Sequence, residues 1–179
     1  MPSSPNELFD VVDENDQVID QATRGFVHAQ GLRHRAVHIL VYNSDGQLYL
    51  QKRSMNKDQM PGAWTTSASG HVDAGESYDE AAKRELEEEL GIPLGTGDEM
   101  DLLFKHPACR KTGEEFIQVY RLSWNGPIVP EPEEIDEGAW LNPDDLDELI
   151  RNDRRKYAPS FRMIWGIQRG YGEDAFFAG

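Results

Sequence analysis

Three glutamates, Glu85, Glu88 and Glu89, stand at i, i+3 and i+4 within the run YDEAAKRELEEEL. On a helix that spacing gathers three carboxylates on one side, within reach of one another. Like charges so placed repel by roughly 0.2–0.5 kcal/mol per pair on an isolated helix, so the cluster gains nothing unless a cation sits on it. Hard carboxylate oxygens suit Mg²⁺, or Mn²⁺ in its place, ions that keep several waters and share the phosphates of a substrate. A charge run is ordinarily a solvated face. Here Ala82, Leu86 and Leu90 form an apolar stripe beside it, while Glu80, Lys83 and Glu87 take the opposite, solvent side.

The helix that must carry these groups is marked at both ends. Ser77 with Glu80 is a capping box, in which the serine bonds an early amide and the glutamate reaches back. Tyr78 to Leu90 contains strong helix formers and no proline. Gly91 offers a left-handed stop, and Pro93 forbids continuation. Upstream lies a glycine loop. The whole segment Gly70–Ile92, GHVDAGESYDEAAKRELEEELGI, fits G-x5-E-x7-R-E-U-x-E-E-x-G-U, with U aliphatic, at every defined position.

By that pattern the chain resembles the Nudix family. The resemblance implies an α/β (α+β) fold, a three-layer α/β/α sandwich on a mixed sheet. It also implies attack of water on a phosphoric anhydride with a bound divalent metal. Glu85, Glu88 and Glu89 take the positions of the metal ligands, with the backbone carbonyl of Gly70 as another, and Glu88 and Glu89 act in catalysis. Glu76 and Arg84 take the place of a loop-to-helix ion pair. The general base in such enzymes comes from the box or from a later loop. Of Glu131, Glu133, Glu134, Asp136 and Glu137, the choice is Glu134, since an acidic residue ahead of a tryptophan-bearing strand recurs in the family. The alternative for any one of the five is a solvated loop.

Phosphate-binding cations must come from elsewhere. Lys52 and Arg53 end the QLYLQKR strand just before the glycine loop, and Lys57 comes shortly after. Trp64 is a candidate to stack on a base or ring, against the commoner role of packing on the core. Arg110 and Lys111 fall on a turn and serve equally well as surface residues.

The N-terminal half is also similar to type I isopentenyl-diphosphate isomerase, itself of Nudix fold. The shared features are FDVVDENDQVI, the histidines before the first long strand, and PGAWTTSASGHVDAGES. That isomerase holds a metal with histidines and glutamates, and His28, His34 and His71 fall where its histidines would, with a one-residue gap between the first two. Two departures count against isomerase activity. Ser69 replaces the catalytic cysteine, and a hydroxyl lacks the acidity of a thiol. Phe116 and Gln118 stand where the isomerase has Glu-x-Glu, and the adjacent Glu114 and Glu115 are expected on opposite faces. The leading expectation is a Mg²⁺-dependent hydrolase of the isomerase-like subfamily acting on a nucleoside diphosphate derivative or related organic diphosphate. The alternatives are an isopentenyl-diphosphate isomerase and a non-catalytic nucleotide-binding module.

The remaining sequence frames this site. At 179 residues with 38% hydrophobic content, residues 8–179 make one ordinary domain after a flexible lead of residues 1–7. A net charge of -15 argues against docking on nucleic acid or anionic membrane, so an anionic small-molecule diphosphate must be drawn in locally. The lone cysteine, Cys109, forms no internal disulfide, and neither a signal peptide nor a membrane span is evident; a cytoplasmic protein is expected, and the resemblance allows a homodimer. LFDVVDENDQVIDQATRG reads as a hairpin turning at Glu14–Asp16, and RAVHILVYNSDGQLYLQKRS as another turning at Asn43–Gly46. Residues 55–69 read as loop. EMDLLFKHPAC and EEFIQVYRLSW read as strands, followed by an acidic loop and a short AWL strand. Asn142-Pro143 starts a helix with Leu146, Leu149 and Ile150 inward, and Ser160 opens a last helix carrying Phe161, Ile164 and Trp165.

Overall fold

The computed structural model describes residues 4–57, 59–95 and 98–177. The chain opens with β1 (Leu8–Val12) and β2 (Val18–Thr23), paired antiparallel about a turn in which Asp16 has φ 60°. Of the expected N-terminal lead, residues 1–3 lie outside the described residues. Glu7 is tied to the first helix, its carbonyl accepting from Arg24 N at 2.7 Å.

That short helix, α1 (Arg24–Gln30), was not expected. Its seven residues are too few to show a period, and an early glycine weakens the local preference. Gly31, in the left-handed region at φ 61°, stops it.

The main sheet has seven strands: β3 (His34–Tyr42), β4 (Leu48–Arg53), β5 (Trp64–Thr65), β6 (Ala68–His71), β7 (Asp101–His106), β8 (Glu115–Ser123) and β9 (Ile135–Leu141). Its main path runs β5-β4-β3-β8-β7, with β6 on β3 and β9 on β4. The pairing of β3 with β8 is parallel, from His34 opposite Glu115 to Tyr42 opposite Ser123, and every other pairing in it is antiparallel. The sheet is therefore mixed, as expected.

β3 explains the layering. Its run VHILVY is apolar almost throughout because both faces are covered. Val37, Ile39 and Val41 pack under α2 (Tyr78–Leu90) with Ala82, Leu86 and Leu90. Ala36, Leu40 and Tyr42 pack on the other face beneath α3 (Pro143–Asn152) and α4 (Pro159–Gln168), with Leu146, Ile150, Phe161, Ile164 and Trp165. The result is helix, sheet, helix. Among the described residues no helix is long and apolar enough to cross a membrane.

Several local expectations change. The AWL strand extends back to Ile135, because Ile135 is buried and continues the ladder with β4. The segment read as loop contains β5 and part of β6. Leu149 is 43% exposed, and the inward stripe of α3 instead holds Asp147. That carboxylate accepts from Trp165 Nε1 at 2.7 Å and Arg169 Nε at 3.0 Å, which compensates its burial. α4 begins at Pro159 rather than Ser160, with proline at the first helical position where its missing N–H costs nothing.

Candidate active site

α2 is built as its sequence requires. Ser77 Oγ accepts from Glu80 N at 3.3 Å, Ser77 N donates to Glu80 Oε2 at 2.9 Å, and Gly91 closes the helix at φ 62°. Its carboxylate side faces a cavity of about 420 Å³. Glu85, Glu88, Glu89, Gly70 and Glu134 all line that cavity, as do Arg53 and Lys57. Five acidic residues of the late loop were possible bases, and of these the cavity takes Glu134, which is 8% exposed.

Each carboxylate is held differently. Arg84 grips Glu76 through Nε and Nη2, each at 2.9 Å, donates to the carbonyl of His71 at 2.9 Å, and reaches Glu85 Oε1 at 2.6 Å. The Glu76–Arg84 pair thus fastens the glycine loop to the helix. Glu89 is buried, its Oε2 accepting from Gln51 Nε2 at 2.6 Å and Ser69 N at 3.0 Å. Glu88 is the open member, its side chain 46% exposed. Gly70 lies so close to Glu85 that a Cβ there would sit 2.0 Å from its Cδ. Only glycine leaves room for that carboxylate beside the backbone.

Burial pushes the Glu89 carboxyl up to about 7, against the hydrogen bonds from Ser69 and Gln51 that favour its ionised form. Burial and then the neighbouring Glu89 push Glu85 up as well. Crowded, buried, oxygen-only donors of this kind fit a hard divalent cation, which offsets the repulsion they impose on one another. A consequence is competition with protons. Below pH of about 7 the Glu89 carboxyl is protonated, so a cation must displace the proton. Mg²⁺ affinity measured by calorimetry should weaken by about tenfold or more per unit as pH falls from about 7 to 5. An affinity unchanged across that interval would remove Glu89 from the ligand set.

The candidate substrate-binding residues separate. Arg53 lines the cavity, its Nε donating to the carbonyl of Gln59 at 3.1 Å. Lys52 does not line it and lies 3.6 Å from Glu137 on the neighbouring strand. Trp64 also stays outside the lining and packs against the core beneath α4, leaving the stacking role without a place. Lys57 pairs with Glu134 at the cavity wall, and Arg110 and Lys111, on a 3-10 turn at Arg110–Thr112, reach its rim.

A second cluster adjoins the first. Ligand atoms of His28, His34 and His71 lie within 4.8 Å of one another. Glu115 joins them, its Oε1 at 3.1 Å from His71 Nε2 and 3.6 Å from His34 Nε2. Sequence reasoning missed Glu115, having sought a carboxylate at Phe116 and Gln118. Parallel pairing sets Glu115 opposite His34 and so delivers it to this face. Burial works to raise the Glu115 carboxyl, but the adjoining imidazoles outweigh it and hold it well below the usual range. His34 Nδ1 lies 2.8 Å from the carbonyl of Leu32, to which it can only donate, while its buried Nε2 faces Glu115 at 3.6 Å and, among the described residues, makes no hydrogen bond.

The chain is similar to known proteins in sequence and in fold. A family model described as the NUDIX domain matches residues 32–161. An uncharacterized Nudix hydrolase of Yersinia pestis is 40% identical over 146 residues, covering 81% of this chain and 78% of its own length. The uncharacterized Nudix hydrolase YfcD of Escherichia coli K12 is 38% identical over 141 residues, 78% of this chain and 76% of its own. Among solved structures, the crystal structure of DR0079 from Deinococcus radiodurans superposes with a TM-score of 0.77 at 31% identity, over 92% of this chain and 99% of that one.

Proposed function

The chain belongs to the Nudix domain family of hydrolases, and on that basis we propose that it cleaves a phosphoric anhydride in a nucleoside diphosphate derivative or related organic diphosphate, using Mg²⁺, with Mn²⁺ as a substitute. The observation that carries this reading is the convergence of Glu85, Glu88 and Glu89 with Gly70 on one side of a cavity that Arg53 and Lys57 also line. When bound, the metal supplies charge neutralisation of the diphosphate and lowers the pKa of attacking water. Glu85, Glu88 and Glu89 hold it, with the Gly70 carbonyl. Arg53 and Lys57 bind phosphate oxygens, offsetting on a local scale the overall charge of -15. In this reading Glu134, which lines the cavity and pairs with Lys57, takes the proton of the water.

Phosphorus NMR with Mg²⁺ and a panel of dinucleotides, nucleotide sugars, coenzyme A, nucleoside triphosphates and isopentenyl diphosphate tests the reading. Two phosphorus-containing products, or orthophosphate, are expected. A shifted double bond with the diphosphate intact would establish the isomerase instead, despite Ser69. Line broadening without turnover would establish a binding module.

We propose a second cation at His28, His34, His71 and Glu115, on the strength of the convergence of the three histidines' ligand atoms within 4.8 Å of one another and of Glu115 Oε1 beside two of them. Three imidazoles and one carboxylate suit a borderline transition metal, and the Nδ1–carbonyl bond of His34 is the kind of outer support such ligands have. Co²⁺ should give an intense visible spectrum that survives Glu85→Gln and is lost in His34→Gln. The reverse pattern would confine metal to the glutamates.

A further inference from the structure

The run RNDRRK, Arg151–Lys156, holds four cations and one carboxylate in a chain whose net charge is -15, so this corner runs against the sign of the whole. Arg151, in the last turn of α3, and Arg154 and Arg155, on a 3-10 turn at Arg154–Lys156, line a second cavity of about 470 Å³. It shares no lining residue with the active-site cavity. Among the described residues no carboxylate pairs with any of the three arginines. Asp153, the acidic residue of the lining, lies 3.4 Å from Lys156, and nearby Asp174 pairs with Lys111. Arg151 has an ordinary reading, since a cation at a helix C-terminus complements the helix dipole. Its guanidinium is also held 5.3 Å from the centre of the Phe176 ring and 5.7 Å from that of Tyr171. Arg154 and Arg155 follow the helix and have no such partner among the described residues. Arg162 adds to the crowding. Its Nη1 donates to the carbonyl of Phe176, a lining residue, at 3.3 Å, and its Nε is buried without a hydrogen-bond partner. Burial, and then Arg154, pull the Arg162 guanidinium below its usual range. Like charges gathered in this way repel one another, and an anion between them removes the cost.

We propose that this second cavity is a metal-independent binding site for the phosphate group of a small molecule, held by Arg154 and Arg155 with Arg151 at its edge. Guanidinium groups offer paired N–H donors that match two phosphate oxygens at once. The active-site cavity sets its cations among glutamates and needs a divalent ion before it can hold a phosphate. The second cavity has no such cluster and needs none. A long polyanion would meet the repulsion of the remaining surface, whereas a small anion feels chiefly the local field, so the ligand is small. Free inorganic phosphate or diphosphate and the phosphate of a nucleotide present the same chemistry. The inference stands on the arginines alone and is independent of the reaction proposed above.

The test is nitrogen-15 NMR of the full chain in EDTA at low ionic strength, titrated with inorganic phosphate, diphosphate, AMP and a short single-stranded oligonucleotide. The Nε–H signals of Arg154 and Arg155 and the amides of Ala175 and Phe176 should shift and saturate, with a dissociation constant of about 1 mM or below. The amides of Gly70 and Glu88 should stay in place. Saturation by phosphate or diphosphate as well as AMP would assign the site to the free anion, and saturation by AMP alone to a phosphate on an organic carrier. Arg154→Gln combined with Arg155→Gln should weaken binding by at least about tenfold, the scale of a lost charge-assisted hydrogen bond. Any metal-dependent turnover should be unchanged in that variant. The map on the native protein does not depend on the variant folding. Shifts that stay linear with every small anion, shifts centred on the active-site cavity, native affinity in the double variant, or tighter binding of the oligonucleotide than of AMP would each overturn the proposal.

Discussion

Glu88→Gln is expected to lower kcat by about 10²–10³-fold, the scale on which one preorganised charge-stabilising group acts, while the thermal midpoint stays near that of the native protein. The pairing of those two outcomes follows from position. Glu85 and Glu89 are sunk into the wall beneath α2, bound by Arg84, Gln51 and Ser69, so altering either also disturbs the fold. Glu88 is 46% exposed, and its nearest cation, Arg84, stands 3.5 Å away and is already committed to Glu76 and Glu85. Exposed substitutions of this kind usually change stability by less than about 0.5 kcal/mol. The lost charge is then felt where it was used, at the metal and diphosphate. A variant that folds, melts like the native protein and turns over within about threefold of it would show that Glu88 is not a ligand.

Gly70→Ala is expected to be comparably damaging by a different route. Gly70 pairs with Val37 in the β6–β3 ladder, so its backbone cannot withdraw without breaking the sheet. A methyl group would lie 2.0 Å from both Cδ and Oε1 of Glu85, and the carboxylate must yield. It moves away from Arg84, now 2.6 Å distant, and away from the position at which a cation is shared with Glu89. Mg²⁺ affinity should fall by about 10–100-fold, as when a supporting contact of a metal site is lost. Stability should fall by about 1–3 kcal/mol from overpacking. Calorimetric Mg²⁺ titration with a parallel melt separates the two effects. Native Mg²⁺ affinity in this variant would mean that the placement of Glu85 beside the glycine has no bearing on the metal.

The features legible in the sequence are those local in the chain. The caps of α2, its apolar stripe and its carboxylates lie within the segment Ser77–Gly91, and the structure keeps them as read. The partners of those carboxylates do not lie there. Gln51 meets Glu89 across 38 residues, and Glu115 meets His71 across 44, through pairings that no local period encodes. Glu115 falls on neither of the positions, Phe116 and Gln118, that match the isomerase's Glu-x-Glu; its place is fixed by the parallel register with His34. One signal was available and unused. Lys52 and Arg53 are consecutive on a strand, where side chains alternate, so only one of them was free to face the cavity. Leu149 was placed inward because apolar residues are expected there. The stripe went to Asp147, whose hydrogen bonds come from Trp165 and Arg169 in and just after another helix.

Everything proposed for this site turns on water attacking a phosphorus held by the carboxylate cluster. Turnover of a substrate in ¹⁸O-labelled water, followed by mass analysis of the products, measures that event. One phosphate-bearing product should carry a single ¹⁸O from each cleavage. Products with no label on either phosphate, or rearrangement of the organic group with its diphosphate unbroken, would contradict hydrolysis at this site.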